Sequence, residues 1–192
     1  ITGDGDGLSI GGNQLMHMLR RNLDVNVLLF NNRIYGLTKG QYSPTSEHGK
    51  VTKSTPFGSP DMPLNPMLFA LSAGATFVAR TYDVDPKGMK EIFKEAAEHK
   101  GTSFVEIFQN CNIFNDGTFS PIYERPVRDD QILNLKHGEP FTFGKNKNKG
   151  IRLNGLKPEI VEIENVFNKD DLLRHDQYSS ESTLANLLSN FN

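Results

Sequence analysis

Apolar residues along this chain change period several times, and each change predicts an element. Within Ile10 to Asn22, Leu15, Met16, Met18 and Leu19 recur at the spacing of one helix face, and Arg20 and Arg21 sit where a last helical turn favours cations. Val25 to Phe30 is a β-favouring run of the kind found in a strand covered on both faces. From Asn31 to Pro66 the chain is rich in Gly, Ser, Thr and Pro and poor in apolar residues; it is too long for a bare connection and predicts a functional loop. Regular patterning then resumes. Met67 to Ala73 predicts a short helix and Thr76 to Arg80 a strand. Asp85-Pro86 forms an N-cap and first-turn proline for a helix to about His99, and Ser103 to Phe108 predicts another strand. Strands alternating with helices at these lengths predict an α/β fold built on a doubly wound parallel sheet.

From about Arg128 the pattern breaks up into Lys145-Asn-Lys-Asn-Lys149, a β-like piece from Glu159 to Ile163 and a closing amphipathic stretch from Ser182 to Phe191. Residues 1–127 are therefore expected to form one domain. Residues 128–192 are expected to form an extended C-terminal extension packed on that domain or on a partner subunit. No internal repeat is visible. The chain opens Ile1-Thr2-Gly3 and reaches a Gly/Asp cluster at once, with only the end of a strand before it; this reads as an N-terminally truncated domain whose earlier part lies upstream.

Composition narrows the partners. The 192 residues are 36% hydrophobic, enough for a sizeable core, and carry a net charge of −2 with both signs interspersed. That leaves no polybasic footprint for a nucleic acid backbone or an anionic membrane. No apolar run approaches the roughly 20 residues of a membrane span, so a soluble protein is expected. A single cysteine, Cys111, excludes an internal disulfide framework and fits a reducing, cytoplasmic setting.

The chemistry concentrates in Gly3-Asp4-Gly5-Asp6-Gly7 and Asn31-Asn32. A strand end, a helix and a second strand separate Asp4 from Asn32. In a βαβ unit the two strand ends open onto the same sheet edge, so both side chains reach one point. An Asp, an Asn amide and a backbone carbonyl suit Mg²⁺, which takes oxygen ligands with few carboxylates and completes its shell from water and substrate phosphates. Glycines at 3, 5 and 7 allow close approach of a diphosphate, whose charge a following helix N-terminus favours. An EF-hand loop begun at Asp4 would need glycine where Ser9 stands and glutamate where Leu15 stands, and GxGxxG does not occur here. An ordinary strand-to-helix turn explains Gly and Asp together but not Asn31-Asn32 at the next strand end.

Gly3-Asp4-Gly5 followed by Asn31-Asn32 resembles the thiamine-diphosphate motif. The run Asn31-Asn-Arg-Ile-Tyr-Gly-Leu-Thr-Lys-Gly-Gln-Tyr-Ser-Pro-Thr45 is similar to the β subunit of 2-oxoacid:ferredoxin oxidoreductases, most of all to the 2-oxoglutarate type. The likeness extends to Gly150-Ile-Arg-Leu-Asn-Gly-Leu-Lys-Pro158 and covers nearly the whole chain. It implies the thiamine-diphosphate-binding fold, with Asp4 and Asn32 as side-chain ligands of Mg²⁺ and Ile34 as a ligand through its carbonyl. Gly3, Gly5, Asp6 and Thr38 are then expected near the diphosphate, and Cys111 as the fourth thiolate of a [4Fe–4S] cluster whose other three ligands lie upstream.

The implied reaction is oxidative decarboxylation of a 2-oxoacid to acyl-CoA and CO₂, in which thiamine diphosphate takes up the electrons left as CO₂ departs and the cluster passes them to ferredoxin. The glutamate that bonds the aminopyrimidine in such enzymes has no counterpart here, so an α subunit is required. The isolated fragment is expected to be inactive. Two alternatives share the metal motif: a non-oxidative thiamine-dependent decarboxylase or synthase, and a non-catalytic scaffold subunit. Lys39, Lys50, Lys53 and Thr55 lie in the loop after the ligands, where a lysine faces either phosphate, a substrate carboxylate or solvent. His17 reads as a core-edge imidazole and His48 as an exposed loop residue.

Overall fold

The computed structural model describes residues 1–165 and 169–191, with the side chains of residues 165 and 169 left aside. The expected C-terminal segment 128–192 therefore includes residues 166–168 and 192, which lie outside the described ones. The chain divides into two compact units, Ile1–Phe119 and Ser120–Asn192.

The first unit is built on four parallel strands, β1 (Thr2–Gly3), β2 (Asn26–Asn31), β3 (Phe77–Tyr82) and β4 (Ser103–Phe108), in the order β1-β2-β4-β3. The β3-to-β4 connection doubles back, so β4 is inserted beside β2, and all six of its residues are buried. Helices α1 (Asp4–Leu8), α2 (Gly12–Arg20) and α3 (Pro66–Ser72) supply Leu8, Leu15, Leu19 and Ala70 to one face, where they meet Val27, Leu29 and Phe104. Helix α4 (Pro86–Glu98) covers the other with Ala96, Met89, Ile92 and Phe93 against Val105, Ile107, Leu28 and Phe30. Alternation along β2 and β4 thus feeds two cores, as a doubly wound sheet requires.

Local chemistry explains the helix starts. Asn65 accepts from the backbone N–H of Met67 and Leu68, each at 3.1 Å, with Pro66 at the first helical position of α3. Asp85 accepts from Gly88 N–H at 3.1 Å ahead of Pro86 in α4. Asp4 to Leu8 winds into α1 directly after β1, an additional short helix ahead of the one expected within Ile10 to Asn22. Gly11 lets the chain turn from there into α2, since a Cβ at Gly11 would lie 2.7 Å from the Asp6 carbonyl.

The second unit carries the antiparallel strands β5 (Thr142–Phe143), β6 (Lys149–Asn154) and β7 (Lys157–Glu162), with two short helices before them, α5 (Ser120–Tyr123) and α6 (Arg128–Gln131), and α7 (Thr183–Ser189) near the end. Gly155, at φ +62°, closes the β6–β7 turn. Phe141, Phe143 and Ile151 form a small core with Leu133, Leu173, Leu188 and Phe191. The segment expected as an extension from Arg128 thus has a sheet and a core of its own, and its unit begins at Ser120. No helix among the described residues is long and apolar enough to cross a membrane.

Candidate functional site

Parallel pairing of β1 with β2 sets Gly3 beside Phe30 and so brings the next residues, Asp4 and Asn31, to the same carboxyl edge. Asp4 is 1% exposed. Its Oδ2 accepts from the hydroxyls of Ser43 and Thr45, both at 2.6 Å, while its Oδ1 accepts from the Asn32 backbone N–H at a longer 3.5 Å. Among the described residues no cation pairs with this carboxylate. Burial pushes the Asp4 carboxyl above the usual range, and the hydrogen bonds from Ser43, Thr45 and the Asn32 backbone pull it partly back.

The long loop after β2 folds over Asp4. Arg33 adopts a left-handed backbone, φ +55°, a conformation that costs about 1 kcal/mol for a residue with a Cβ. The kink is held from several sides. Asn31 Oδ1 accepts from Arg33 N–H at 3.1 Å and Asn32 Oδ1 from Ile34 N–H at 3.2 Å. The Arg33 guanidinium donates to Glu47 at 2.8 Å and lies 4.6 Å from the centre of the Phe119 ring. Ser46 donates to the Arg33 carbonyl at 2.7 Å. The Ile34 side chain is buried, and among the described residues no donor reaches its carbonyl.

A second polar layer lies beneath. Asn31, 2% exposed, donates through Nδ2 to Glu106 at 2.7 Å, and the fully buried Glu106 is paired with Arg80 at 2.7 Å. Thr45 Oγ1 also lies 2.9 Å from Asn31 Oδ1, so its one proton serves either Asn31 or Asp4 at a time.

The expected site residues fall into two groups. Asp4, Asn32 and Ile34 come together at the sheet edge, with Gly3 and Gly5 beside them in the chain. A Cβ at Gly3 would meet nothing within 4 Å, as close ligand approach requires, whereas Gly5 and Gly7 are needed by the protein itself. The Gly5 Cβ position is filled by the Tyr35 ring, and that of Gly7 lies 2.8 Å from Thr2 and 3.1 Å from Leu29. Asp6 and Thr38 are exposed; the Asp6 carboxylate has no partner among the described residues, and the Thr38 hydroxyl pairs with Gln41. Cys111 is partly buried in the loop after β4, its sulfur 3.9 Å from the position of a Cβ on Gly36. Lys39, Lys53 and His48 are exposed. Lys50 donates to Asn115 at 2.6 Å, while Thr55 donates to the Lys50 carbonyl at 3.1 Å. His17 is half-buried, with a buried Nδ1 that has no hydrogen-bond partner among the described residues.

Sequence reasoning did not single out Ser43, Thr45, Asn115 and Glu106. Ser43 and Thr45 stood inside the run that carried the resemblance, and Glu106 was marked by being a charge in the middle of an apolar strand. Nothing in the sequence marked Asn115.

With this geometry in view, known proteins place the fold. Residues 1–107 match the family described as thiamine pyrophosphate enzyme, C-terminal TPP binding domain. The chain belongs to that family. Over 98% of its length it is 50% identical to the 2-oxoglutarate oxidoreductase subunit KorB of Mycobacterium tuberculosis, of which it covers 50%. It is 45% identical over 125 residues to the 2-oxoacid:ferredoxin oxidoreductase subunit beta of Saccharolobus solfataricus, covering 65% of this chain and 41% of that one. Among solved structures it resembles the 2-oxoglutarate:ferredoxin oxidoreductase of Magnetococcus marinus, determined with 2-oxoglutarate, coenzyme A and succinyl-CoA bound. The TM-score is 0.58 at 49% identity, over 59% of this chain and 39% of that one. The chain spans about half the length of the curated relatives it matches. Its relatives are β subunits of 2-oxoacid oxidoreductases, the family that the motif and the loop run resemble.

The residues present fit a Mg²⁺ ion bound to the diphosphate of the cofactor. A carboxylate, an amide oxygen and a free backbone carbonyl are the hard oxygen donors this ion selects, and Asp4 is a buried acid with no cation of its own.

Proposed function

We propose that this chain is the diphosphate-gripping part of the β subunit of a 2-oxoacid:ferredoxin oxidoreductase, with 2-oxoglutarate as its acid. The observation that carries this reading is Asp4: a buried carboxylate beside Asn32 at a parallel sheet edge, with one oxygen committed to two hydroxyls and the other left almost free. Asp4 Oδ1, Asn32 Oδ1 and the Ile34 carbonyl would hold Mg²⁺. Gly3 and Gly5 would lie against the diphosphate, with Asp6 and Thr38 at its exposed side. When bound, thiamine diphosphate supplies the electron sink for decarboxylation of the 2-oxoacid. This chain's residues would orient the cofactor, and an α subunit would supply the partner of the aminopyrimidine. Cys111, in the loop after β4 on the same edge, would be the fourth ligand of the [4Fe–4S] cluster through which electrons leave for ferredoxin, and coenzyme A would take the acyl group.

The test is calorimetry on the full-length β subunit assembled with its α subunit. Asp4→Ala should abolish Mg²⁺-dependent binding of thiamine diphosphate, because it removes the only charged ligand, and Asn32→Ala should be milder. Unchanged affinity in Asp4→Ala would overturn the metal assignment. Assays of the same complex on 2-oxoglutarate, pyruvate and a branched-chain 2-oxoacid test the substrate, and preference for either of the latter two would overturn that part.

A further inference from the structure

Asn115 is 6% exposed and joins three segments of the site. Its Nδ2 donates to the Asn32 carbonyl at 2.9 Å and to the Arg33 carbonyl at 3.3 Å, and its Oδ1 accepts from Lys50 Nζ at 2.6 Å. Its own N–H donates to the Cys111 carbonyl at 3.0 Å. The amide can sit only one way round, because an ammonium offers nothing but donors and the two carbonyls nothing but lone pairs. Both polar atoms of its side chain are thereby used. A residue that merely filled space here would not need to satisfy two consecutive carbonyls from one amino group.

Those two carbonyls belong to the peptides on either side of Arg33, the residue whose left-handed backbone makes the turn. With both drawn toward Asn115, neither peptide is free to rotate, and the Asn32 side chain and the Ile34 carbonyl keep fixed directions. We propose that Asn115 is a positioning residue: by clasping the Asn32 and Arg33 carbonyls it holds the turn in the shape that presents Asn32 and Ile34 to a divalent cation. The inference rests on the reading of Asp4 and Asn32 as metal-holding residues and adds a residue outside that set.

The test uses the full-length β subunit with its α subunit, thiamine diphosphate at a fixed concentration, and Mn²⁺ as the probe. Asn115→Asp keeps the shape and the Lys50 contact but turns a carboxylate oxygen on two carbonyls. Mn²⁺ affinity should fall on the order of tenfold or more, with a changed spin-resonance spectrum of the bound ion and a metal-free melting temperature close to that of the parent. Asn115→Ala, which adds no charge, should show a smaller loss in the same direction and serves if the first variant does not assemble. Parent affinity and an unchanged spectrum in both variants would overturn the proposal. So would a loss of affinity matched in both by a collapse of the metal-free melting temperature, since the role would then be structural only. Asp4→Asn measured alongside separates the two readings: retained affinity there overturns the metal site itself, whereas loss there with unaffected Asn115 variants overturns the clasp alone.

Discussion

Tyr35 seals Gly5: its hydroxyl donates to the Gly5 carbonyl at 2.8 Å, and its ring occupies the space that a Cβ at Gly5 would need. The first turn of α1 is thereby locked to the loop that carries Asn32 and Arg33. Gly5→Ala should therefore cost about 1–3 kcal/mol as an overpacked contact, read by urea denaturation, and should weaken Mg²⁺-dependent cofactor binding by displacing the Tyr35 loop. Tyr35→Phe, which loses only the hydrogen bond, should cost about 1 kcal/mol. A fully stable Gly5→Ala would show that the ring is free to move aside.

Much of the first unit was legible because most of its elements, α1 excepted, announced themselves. Ser103 to Phe108 was readable to the residue, since its apolar run is bounded by turn residues, and Asp85-Pro86 carries a capping mechanism. That Asp4 and Asn32 come to one sheet edge was legible because parallel connection fixes where strand ends open. The polar layer under them was not. Ser43, Thr45 and Asn115 reach the site through a loop whose path no periodicity encodes, and Glu106 is satisfied by residues from β2 and β3 that only strand order makes neighbours. The second unit was hard to read because β5 has only two residues, and β6 (Lys149–Asn154) and β7 (Lys157–Glu162) carry Gly, Pro and several charges in place of the apolar run that marks β4.

Asp4 should make stability depend on pH in a direction opposite to most carboxylates. Burial raises its folded-state pKa, so between the unfolded and the folded value the folded chain binds more protons than the unfolded one. Stability from this group is therefore present below that window and is lost as pH rises through the raised pKa. A divalent cation held as proposed would replace the proton and restore what was lost. In the full complex with thiamine diphosphate, the rise in melting temperature caused by Mg²⁺ should grow as pH rises from the ordinary carboxylate range through the raised pKa of Asp4, and Asp4→Asn should flatten the trend. A Mg²⁺ effect that stays constant across this range would contradict the role given to Asp4.

Cys111 is the place where the cluster assignment is most exposed to test. Its sulfur stands by Gly36, in the loop tied to Asn115 and through it to the metal turn. In the full-length protein Cys111→Ala should lower the iron content and weaken or abolish the spin-resonance signal of the reduced cluster, while thiamine diphosphate still binds. Normal iron content with an unchanged signal would remove Cys111 from the ligand set and leave it a small buried thiol.

Arg80 and Glu106 should respond unequally to loss of the partner. Glu106 is fully buried and acceptor-only, with Asn31 on one oxygen and Arg80 on the other, whereas the Arg80 side chain is 37% exposed and rests against the Phe108 ring, 4.8 Å from its centre. Removing the cation by Arg80→Met strands a carboxylate among apolar neighbours; uncompensated buried charges cost about 3–5 kcal/mol, and water reaching the Arg80 position reduces this to about 2–3 kcal/mol. Glu106→Gln leaves a guanidinium that can turn to solvent and an amide oxygen that can still accept from Asn31, so its cost should be about 1 kcal/mol. Urea denaturation of the two variants under the same conditions decides the order. Because the Arg33 N–H still holds the Asn31 amide the same way round, Glu106→Leu should go further than Glu106→Gln by leaving the buried Asn31 Nδ2 without its acceptor. Equal costs for Arg80→Met and Glu106→Gln would mean that the pair acts as one exposed salt bridge and that its buried half carries no special weight.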